Sequence, residues 1–141
     1  TLSMNEILNS VGDETLCPVA LIIKDGRILL GHRHYTSDKW KPISVWTCPG
    51  GRCDVGETIE ATLRREVTEE TGIDDLVIEA YLGEFPGAKE GDVVPVFRAT
   101  TNQEVKNVEP HKFSEWRWFS KADFPDTFIN KHVTNVIKDN L

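Results

Sequence analysis

Three glutamates in the middle of this sequence have the spacing that would let them bind one metal ion together. Glu66, Glu69 and Glu70 stand at i, i+3 and i+4, which places their side chains on one face of a helix. Carboxylates that close repel one another, and a hard divalent cation such as Mg²⁺ would bind their oxygens and relieve the repulsion. Glu57, at the predicted helix start, adds a fourth acid. The pattern favours a metal site that faces solvent, although acids at this spacing also line ordinary solvated helix faces.

The residues around these acids form a longer pattern that separates the two interpretations. Residues 51–73 read GRCDVGETIEATLRREVTEETGI. This segment resembles the Nudix box, G-x5-E-x7-R-E-U-x-E-E-x-G-U with U aliphatic, and its matching positions are Gly51, Glu57, Arg65, Glu66, Val67, Glu69, Glu70, Gly72 and Ile73. The resemblance implies an α/β fold, an α/β/α sandwich with a mixed β-sheet between helices. We expect a single domain over residues 1–141, in which residues 1–14 are loosely held.

The same resemblance assigns roles to individual residues. It implies that Glu66, Glu69 and Glu70 bind the metal, and that the carbonyl of Gly50, just before the box, does so too. Either Glu69 or Glu70 is instead a candidate for the general base that acts on the attacking water. Glu57 is either a helix-start acid favoured by the helix dipole or a further ligand, and the resemblance favours the ligand. Mg²⁺ is the expected metal, with Mn²⁺ as an alternative.

Arg65 is the basic residue of the box and a candidate catalytic residue. It lies four residues before Glu69, so we expect a salt bridge that orients this carboxylate. The alternative is an ordinary surface pair, which would contribute little to stability.

A second run, residues 109–118, reads EPHKFSEWRW. It resembles the E-P-x-K-x-x-x-W-x-W stretch of MutT-type nucleotide pyrophosphatases, which implies that Glu109 supplies an extra metal ligand or a base. Trp116 and Trp118 point to the same side of a predicted strand. Trp116 and Trp46 each have two interpretations: they belong to the core, or they stack on a purine base of the substrate.

Two residues outside these runs are candidates for substrate binding. Arg33 follows a Leu-Leu-x-x-Arg pattern that resembles the family's phosphate-binding arginine, although an arginine at the end of a strand is commonly solvated. Asn130 lies near the place where MutT-type proteins have a base-reading side chain, and a helix-surface asparagine is the alternative.

The elements that must position these residues follow from hydrophobic periodicity. We expect the box helix to begin after Thr58 as N-cap, to end at Gly72, and to pack Ile59, Leu63 and Val67 onto a sheet. The predicted strands span residues 16–24, 27–34, 45–48, 76–85, 93–99 and 113–119, with an Asp25-Gly26 hairpin turn, a short helix over 5–10, a loop over 35–43 and a final amphipathic helix over about 127–139.

Composition narrows the class of partner. The net charge of −7 over 141 residues argues against binding to a nucleic acid polymer or to an anionic membrane, so we expect a small-molecule nucleotide. No apolar run reaches membrane-spanning length and no secretion leader is visible. Cys17, Cys48 and Cys53 form no C-x-x-C pair, which favours reduced thiols and a cytoplasmic location. The resemblance also allows a homodimer.

The predicted reaction is Mg²⁺-dependent hydrolysis of a nucleoside or deoxynucleoside triphosphate, oxidised forms included, to a nucleoside monophosphate and pyrophosphate. A nucleoside diphosphate-sugar or ADP-ribose hydrolase with the same metal helix is the alternative. A non-catalytic Nudix-fold nucleotide-binding module is a more distant alternative, because this chain keeps all the acids of the box.

Overall fold

The computed structural model describes residues 2–33 and 44–141, and these residues form one mixed sheet with helices on both faces. The strands are β1 Val19–Lys24, β2 Arg27–Arg33, β3 Val45–Thr47, β4 Val77–Pro86, β5 Val93–Thr100 and β6 Phe113–Phe119. The helices are α1 Met4–Asn9, α2 Ile59–Thr71 and α3 Thr134–Asp139. The loop predicted over residues 35–43 lies outside the described residues. None of the described helices is long and apolar enough to cross a membrane.

The sheet combines one parallel pair with antiparallel neighbours. β1 runs parallel to β5, with Val19 opposite Val96, and the strand order is β3-β2-β1-β5-β4. One edge of β2 pairs with β6, while its other edge pairs with β1 near its start and β3 near its end. The predicted hairpin turn between β1 and β2 is confirmed, because Asp25 and Gly26 both have positive φ angles, 53° and 73°.

Alternating residues of β1 enter two separate hydrophobic cores. Ala20 and Ile22 face the core that contains α2, whereas Leu21 faces the core that contains Ile137 of α3. Side chains of a strand alternate between the faces of its sheet, so this arrangement places helices on both sides. The predicted α/β/α sandwich is confirmed.

The box helix α2 has the boundaries that its sequence predicts. The hydroxyl of Thr58 accepts a hydrogen bond from the N–H of Ala61, and Gly72 closes the helix in the left-handed conformation at φ 75°. The predicted apolar stripe is buried against the sheet at Ile59, Leu63 and Val67. These contacts fix which face of α2 the acids occupy.

The N-terminal segment is held more firmly than predicted. The helix predicted over residues 5–10 is present as α1, and Leu8 is buried in the core beside α2. The N–H of Gly12 donates to the carbonyl of Glu57 at 2.9 Å, and the N–H of Ile59 donates to the carbonyl of Ser10 at 3.0 Å. The expectation that residues 1–14 are loose is therefore wrong for this stretch, because it anchors the start of α2.

The C-terminal helix is shorter than predicted. We expected it over residues 127–139, but α3 begins only at Thr134. The N–H of Trp46 donates to the carbonyl of Thr127 at 3.1 Å, and the N–H of Ile129 donates to the carbonyl of Trp46 at 2.9 Å. These bonds pair Phe128 with Trp46 of β3 in an isolated bridge, and Phe128 is buried there without helical geometry.

Candidate active site

A cavity of about 440 Å³ lies between the segment before α2, α2 itself and residues 128–133. Its wall carries acids and bases together, since Glu66, Glu70, Arg33 and Lys112 all border it. The volume lies within the range of small-ligand pockets. The acids of this wall can bind a cation, and its basic residues can bind the phosphates of a ligand.

Two glycines bring the backbone against the acids of α2. Gly50 has φ 149°, and a Cβ atom there would lie 2.3 Å from the carbonyl oxygen of Pro18, so no larger residue fits. At Gly51 a Cβ atom would lie 2.5 Å from Cδ of Glu66. The glycine pair therefore lets the chain cross directly over the carboxylate of Glu66.

Glu70 is a buried carboxylate at the cavity wall. It is 3% exposed, which corrects the prediction that this acid faces solvent. Its Oε1 accepts a hydrogen bond from the N–H of Gly50 at 3.0 Å, and Nζ of Lys112 lies 3.5 Å from its Oε2. Burial raises the pKa of Glu70 to about 8, because desolvation disfavours the charged form. A cation bound beside Glu70 would therefore favour the ionised form of this carboxyl group.

Glu66 lies one helical turn before Glu70 and borders the same cavity. Its side chain is 15% exposed, and burial raises its pKa above the ordinary value while Arg65 opposes that shift. Nη1 of Arg65 donates to Oε1 of Glu66 at 3.0 Å. This places a second partly desolvated carboxylate beside the first.

Arg65 forms ion pairs with two acids of the box, Glu57 and Glu69, that do not border the cavity. Its predicted pair with Glu69 is present at 3.3 Å, but its shortest contact is from Nε to Oε2 of Glu57, at 2.7 Å. The hydrogen bonds from Arg65 lower the pKa of Glu57 to about 2. Neither Glu57 nor Glu69 borders the cavity. In this structure Glu57 holds Arg65, and the half-exposed Glu69 lies beside it.

The donor chemistry at the cavity fits a hard divalent cation. The carboxylates of Glu66 and Glu70 supply oxygen donors at one wall, the ligand type that Mg²⁺ prefers, and Gly50 borders the same cavity. Within residues 2–33 and 44–141, no three His, Cys, Asp or Glu side chains already converge as a metal-binding group. The two cavity acids are turned instead towards Arg65 and Lys112.

Two predicted substrate-binding residues do border the cavity. Arg33 lies at the end of β2, and its buried Nε has no hydrogen-bond partner in the described part of the chain. Asn130 is buried, its Nδ2 donates to the carbonyl of Pro86 at 3.0 Å, and its Oδ1 accepts from the N–H of His132 at 3.1 Å. Arg33 therefore borders the cavity with an unpaired Nε among the described residues, whereas Asn130 already uses both ends of its amide on the backbone.

The other predicted site residues lie away from the cavity wall. Trp46 is 9% exposed and packs edge-on against Phe119 at a centroid distance of 4.7 Å. Trp116 packs against Phe113 at 4.6 Å and covers Gly31. Both tryptophans thus belong to the packing of the sheet. Glu109 does not border the cavity either, but its side chain approaches the ammonium of Lys112 at 3.9 Å.

The basic residues that border the cavity without being among the predicted site residues include Lys112 and Arg52. Lys112 contacts Glu70 and borders the cavity, and its position three residues after Glu109 was a signal that could have identified it. Arg52 donates two hydrogen bonds to the carboxylate of Asp92, at 2.9 and 2.8 Å, and so joins the box to the β4–β5 turn. No local pattern indicates this pair, because forty residues separate its members.

Comparison with known proteins shows which family this chain resembles in sequence and in fold. The NUDIX domain model matches residues 17–138. An oxidized purine nucleoside triphosphate hydrolase of Danio rerio is 35% identical over 117 residues, which cover 78% of this chain and 69% of that protein. A crystal structure of a MutT NUDIX hydrolase from Burkholderia pseudomallei matches with a TM-score of 0.68 and 28% identity, over 92% of this chain and 99% of that one.

A longer relative also matches. The NAD-capped RNA hydrolase NudC of Vibrio atlanticus is 29% identical over 153 residues, which cover 98% of this chain and 54% of that protein. The chain therefore spans about half the length of this curated relative.

Proposed function

This chain belongs to the Nudix family, and we propose that it hydrolyses a phosphoric anhydride bond of a small nucleotide in the cavity beside α2. The proposed substrate is a nucleoside or deoxynucleoside triphosphate, oxidised forms included. The products are then a nucleoside monophosphate and pyrophosphate. The proposed cofactor is Mg²⁺, with Mn²⁺ as the alternative.

One observation carries this proposal: a buried acid, a partly buried acid and several basic residues border the same small cavity. Glu66 and Glu70 supply oxygens for a cation, while Arg33 and Lys112 supply positive charge for phosphates. The net charge of −7 would otherwise repel a polyphosphate, so local cations are needed at the place of reaction.

Each of these residues has a chemical task in the proposed reaction. Bound at the oxygens of Glu66 and Glu70, Mg²⁺ would neutralise phosphate charge and acidify a water molecule. Arg33, with a free buried Nε among the described residues, would hold a phosphate oxygen and orient the chain. Of the two candidates for general base, Glu70 borders the cavity and Glu69 does not. We therefore propose that one oxygen of Glu70 would bind the cation and the other would accept the proton of the attacking water.

The size of the cavity supports a small substrate. A volume of about 440 Å³ suits one nucleotide, and the acidic chain disfavours an RNA polymer. The relative from Danio rerio, 35% identical over 117 residues, is named for oxidised purine nucleoside triphosphates, which supports a substrate of this class. We therefore place triphosphates before dinucleotides and capped RNA.

The test is product release across a panel of substrates with and without Mg²⁺. The panel contains canonical and oxidised (d)NTPs, ADP-ribose, a nucleoside diphosphate-sugar, NADH and an NAD-capped RNA oligonucleotide. Pyrophosphate and monophosphate are measured separately, so that the cleaved bond is identified. The matched variants are Glu66→Gln and Glu70→Gln at the cavity, and Glu60→Gln, whose carboxylate pairs with Arg64 elsewhere on α2.

We expect Mg²⁺-dependent pyrophosphate release from triphosphates in the parent and in Glu60→Gln, with a loss of about 100-fold or more in both cavity variants. Turnover confined to ADP-ribose, sugar nucleotides or NAD-type substrates would leave the proposed metal site on α2 standing, but it would refute the proposal that the substrate is a triphosphate. A folded protein that turns over none of these compounds would contradict the hydrolase proposal.

A further inference from the structure

The turn that leads into β6 places a lysine ammonium between two carboxylates. The N–H groups of Lys112 and Phe113 both donate to the carbonyl of Glu109, at 2.9 and 3.0 Å, which closes the turn. Nζ of Lys112 then lies 3.5 Å from Oε2 of Glu70 and 3.9 Å from Oε1 of Glu109. The two acids come from different elements, α2 and this turn, and the lysine joins them.

Each of the two acids needs a positive neighbour. Glu70 is 3% exposed, so water can do little to stabilise its charge. Oε1 of Glu109 is buried, and within the described ranges it has no hydrogen-bond partner. A separation of 3.9 Å from Lys112 is an ion pair but too long for a hydrogen bond. The single ammonium therefore offsets at most one negative charge of this pair and leaves Oε1 of Glu109 without a hydrogen bond.

A divalent cation would compete for the same place. Two positive charges within about 4 Å repel strongly when water is largely excluded, so the ammonium and a cation cannot share Glu70 at full contact. Lysine suits such a contact because its charge is compact and its four-carbon stem is flexible. Lys112 also borders the cavity, so its displaced head group stays close to bound phosphates.

We propose that Lys112 is a built-in countercation, which holds Glu70 and Glu109 together without metal and which the metal must displace in order to bind. This inference rests on the proposed function, because it requires a divalent cation at Glu70. It makes Lys112 a positioning residue that sets the metal affinity of the free enzyme.

The test is direct Mn²⁺ binding to the metal-free full chain, followed by the electron paramagnetic resonance signal of free Mn²⁺ at 0.15 M salt. The variants are Lys112→Met, which keeps the length and removes the charge, and Lys112→Arg, which keeps the charge. Lys89→Met is the matched control, since Lys89 borders the same cavity but is not paired with Glu70 or Glu109. Glu70→Gln reports on the metal site itself.

We expect Lys112→Met to bind Mn²⁺ about tenfold more tightly than the parent, because a short-range repulsion is gone. Lys112→Arg and Lys89→Met should stay within about threefold of the parent, since one retains the charge and the other removes a more distant one. If Lys112→Met does not fold, Lys112→Gln carries the same expectation, and a thermal melt establishes folding in each case.

Two failures can be told apart. Unchanged Mn²⁺ affinity in Lys112→Met, together with weaker binding in Glu70→Gln, would overturn the countercation and leave the proposed function standing. An equal rise in Mn²⁺ affinity in Lys89→Met would also overturn it, because the effect would then come from removing any positive charge near the cavity. Binding that Glu70→Gln does not weaken would remove the metal from this site, and with it both proposals.

Discussion

The guanidinium of Arg65 holds both carboxylate oxygens of Glu57: its Nε lies 2.7 Å from Oε2, and its Nη2 lies 2.9 Å from Oε1. Its remaining nitrogen, Nη1, donates to Glu66 at 3.0 Å. Thr62 adds a hydrogen bond from its hydroxyl to Oε1 of Glu57 at 2.6 Å. Glu57 thus fixes the arginine, and the arginine fixes an acid at the cavity wall.

Glu57→Gln should lower kcat by about 10- to 100-fold, because a neutral amide cannot hold Arg65 in this bidentate geometry and Glu66 loses its orientation. The measurement is steady-state turnover of the best substrate at saturating Mg²⁺. Glu60→Gln is the matched control on the same helix, since its carboxylate pairs with Arg64 away from the cavity. Equal losses in the two variants would show that Glu57 has no special positioning role.

Gly51→Ala should impair catalysis through Glu66 alone. The added Cβ atom would lie 2.5 Å from Cδ of Glu66, so that carboxylate has to move. We therefore expect a loss of about tenfold or more in kcat in the parent background, and no further loss when Glu66 is already Ala. A double-mutant cycle over these two positions measures the coupling. Additive losses would mean that Gly51→Ala acts by distorting the backbone instead.

The sequence predicts the elements of this fold well where the signal is local. The capping by Thr58, the left-handed Gly72 and the strand β6 each depend on neighbouring residues, and all three are present. The same reasoning fails for the segment over residues 127–133, where a helix was predicted and is absent. Its apolar spacing resembles a helix, yet hydrogen bonds to Trp46 pair part of it with β3, and only the tertiary structure supplies that partner.

The candidate site divides in the same way. Helical spacing brings Glu66 and Glu70 to one wall, as predicted, but spacing alone does not show that Glu70 is buried or that Glu69 turns away to Arg65. Lys112 reaches Glu70 across forty-two residues of sequence. Burial and long-range pairing depend on how the sheet packs, and no local pattern encodes them.

Trp116→Ala should destabilise the protein without changing base preference. The ring covers Gly31 and packs at 4.6 Å from Phe113, so its loss leaves a hole worth about 3 kcal/mol in the free energy of unfolding. Trp116→Phe should cost much less, because Nε1 of Trp116 has no hydrogen-bond partner in residues 2–33 and 44–141. Urea unfolding measures both variants. A rise in KM for purine but not pyrimidine substrates, at unchanged stability, would instead support base stacking.

Glu70 should make the metal-free protein less stable at alkaline pH. Burial raises the pKa of Glu70 from the ordinary 4.5 to about 8, so between these values the folded state binds a proton that the unfolded state has released. The stabilising contribution of this proton is fully present below about pH 4.5 and is lost as the pH rises through 8.

Glu70→Gln carries no such proton, so the free energy of unfolding of the parent, relative to this variant, should fall by about 4 kcal/mol between pH 5 and pH 9. Urea unfolding in the presence of EDTA gives both profiles, and Glu69→Gln, at a half-exposed acid of the same helix, is the control that should follow the parent. Mg²⁺ should restore the stability of the parent at pH 9 and leave Glu70→Gln unchanged, because only the parent has the carboxylate that the cation binds. Parallel pH profiles for the parent and Glu70→Gln would show that Glu70 titrates as a solvated acid.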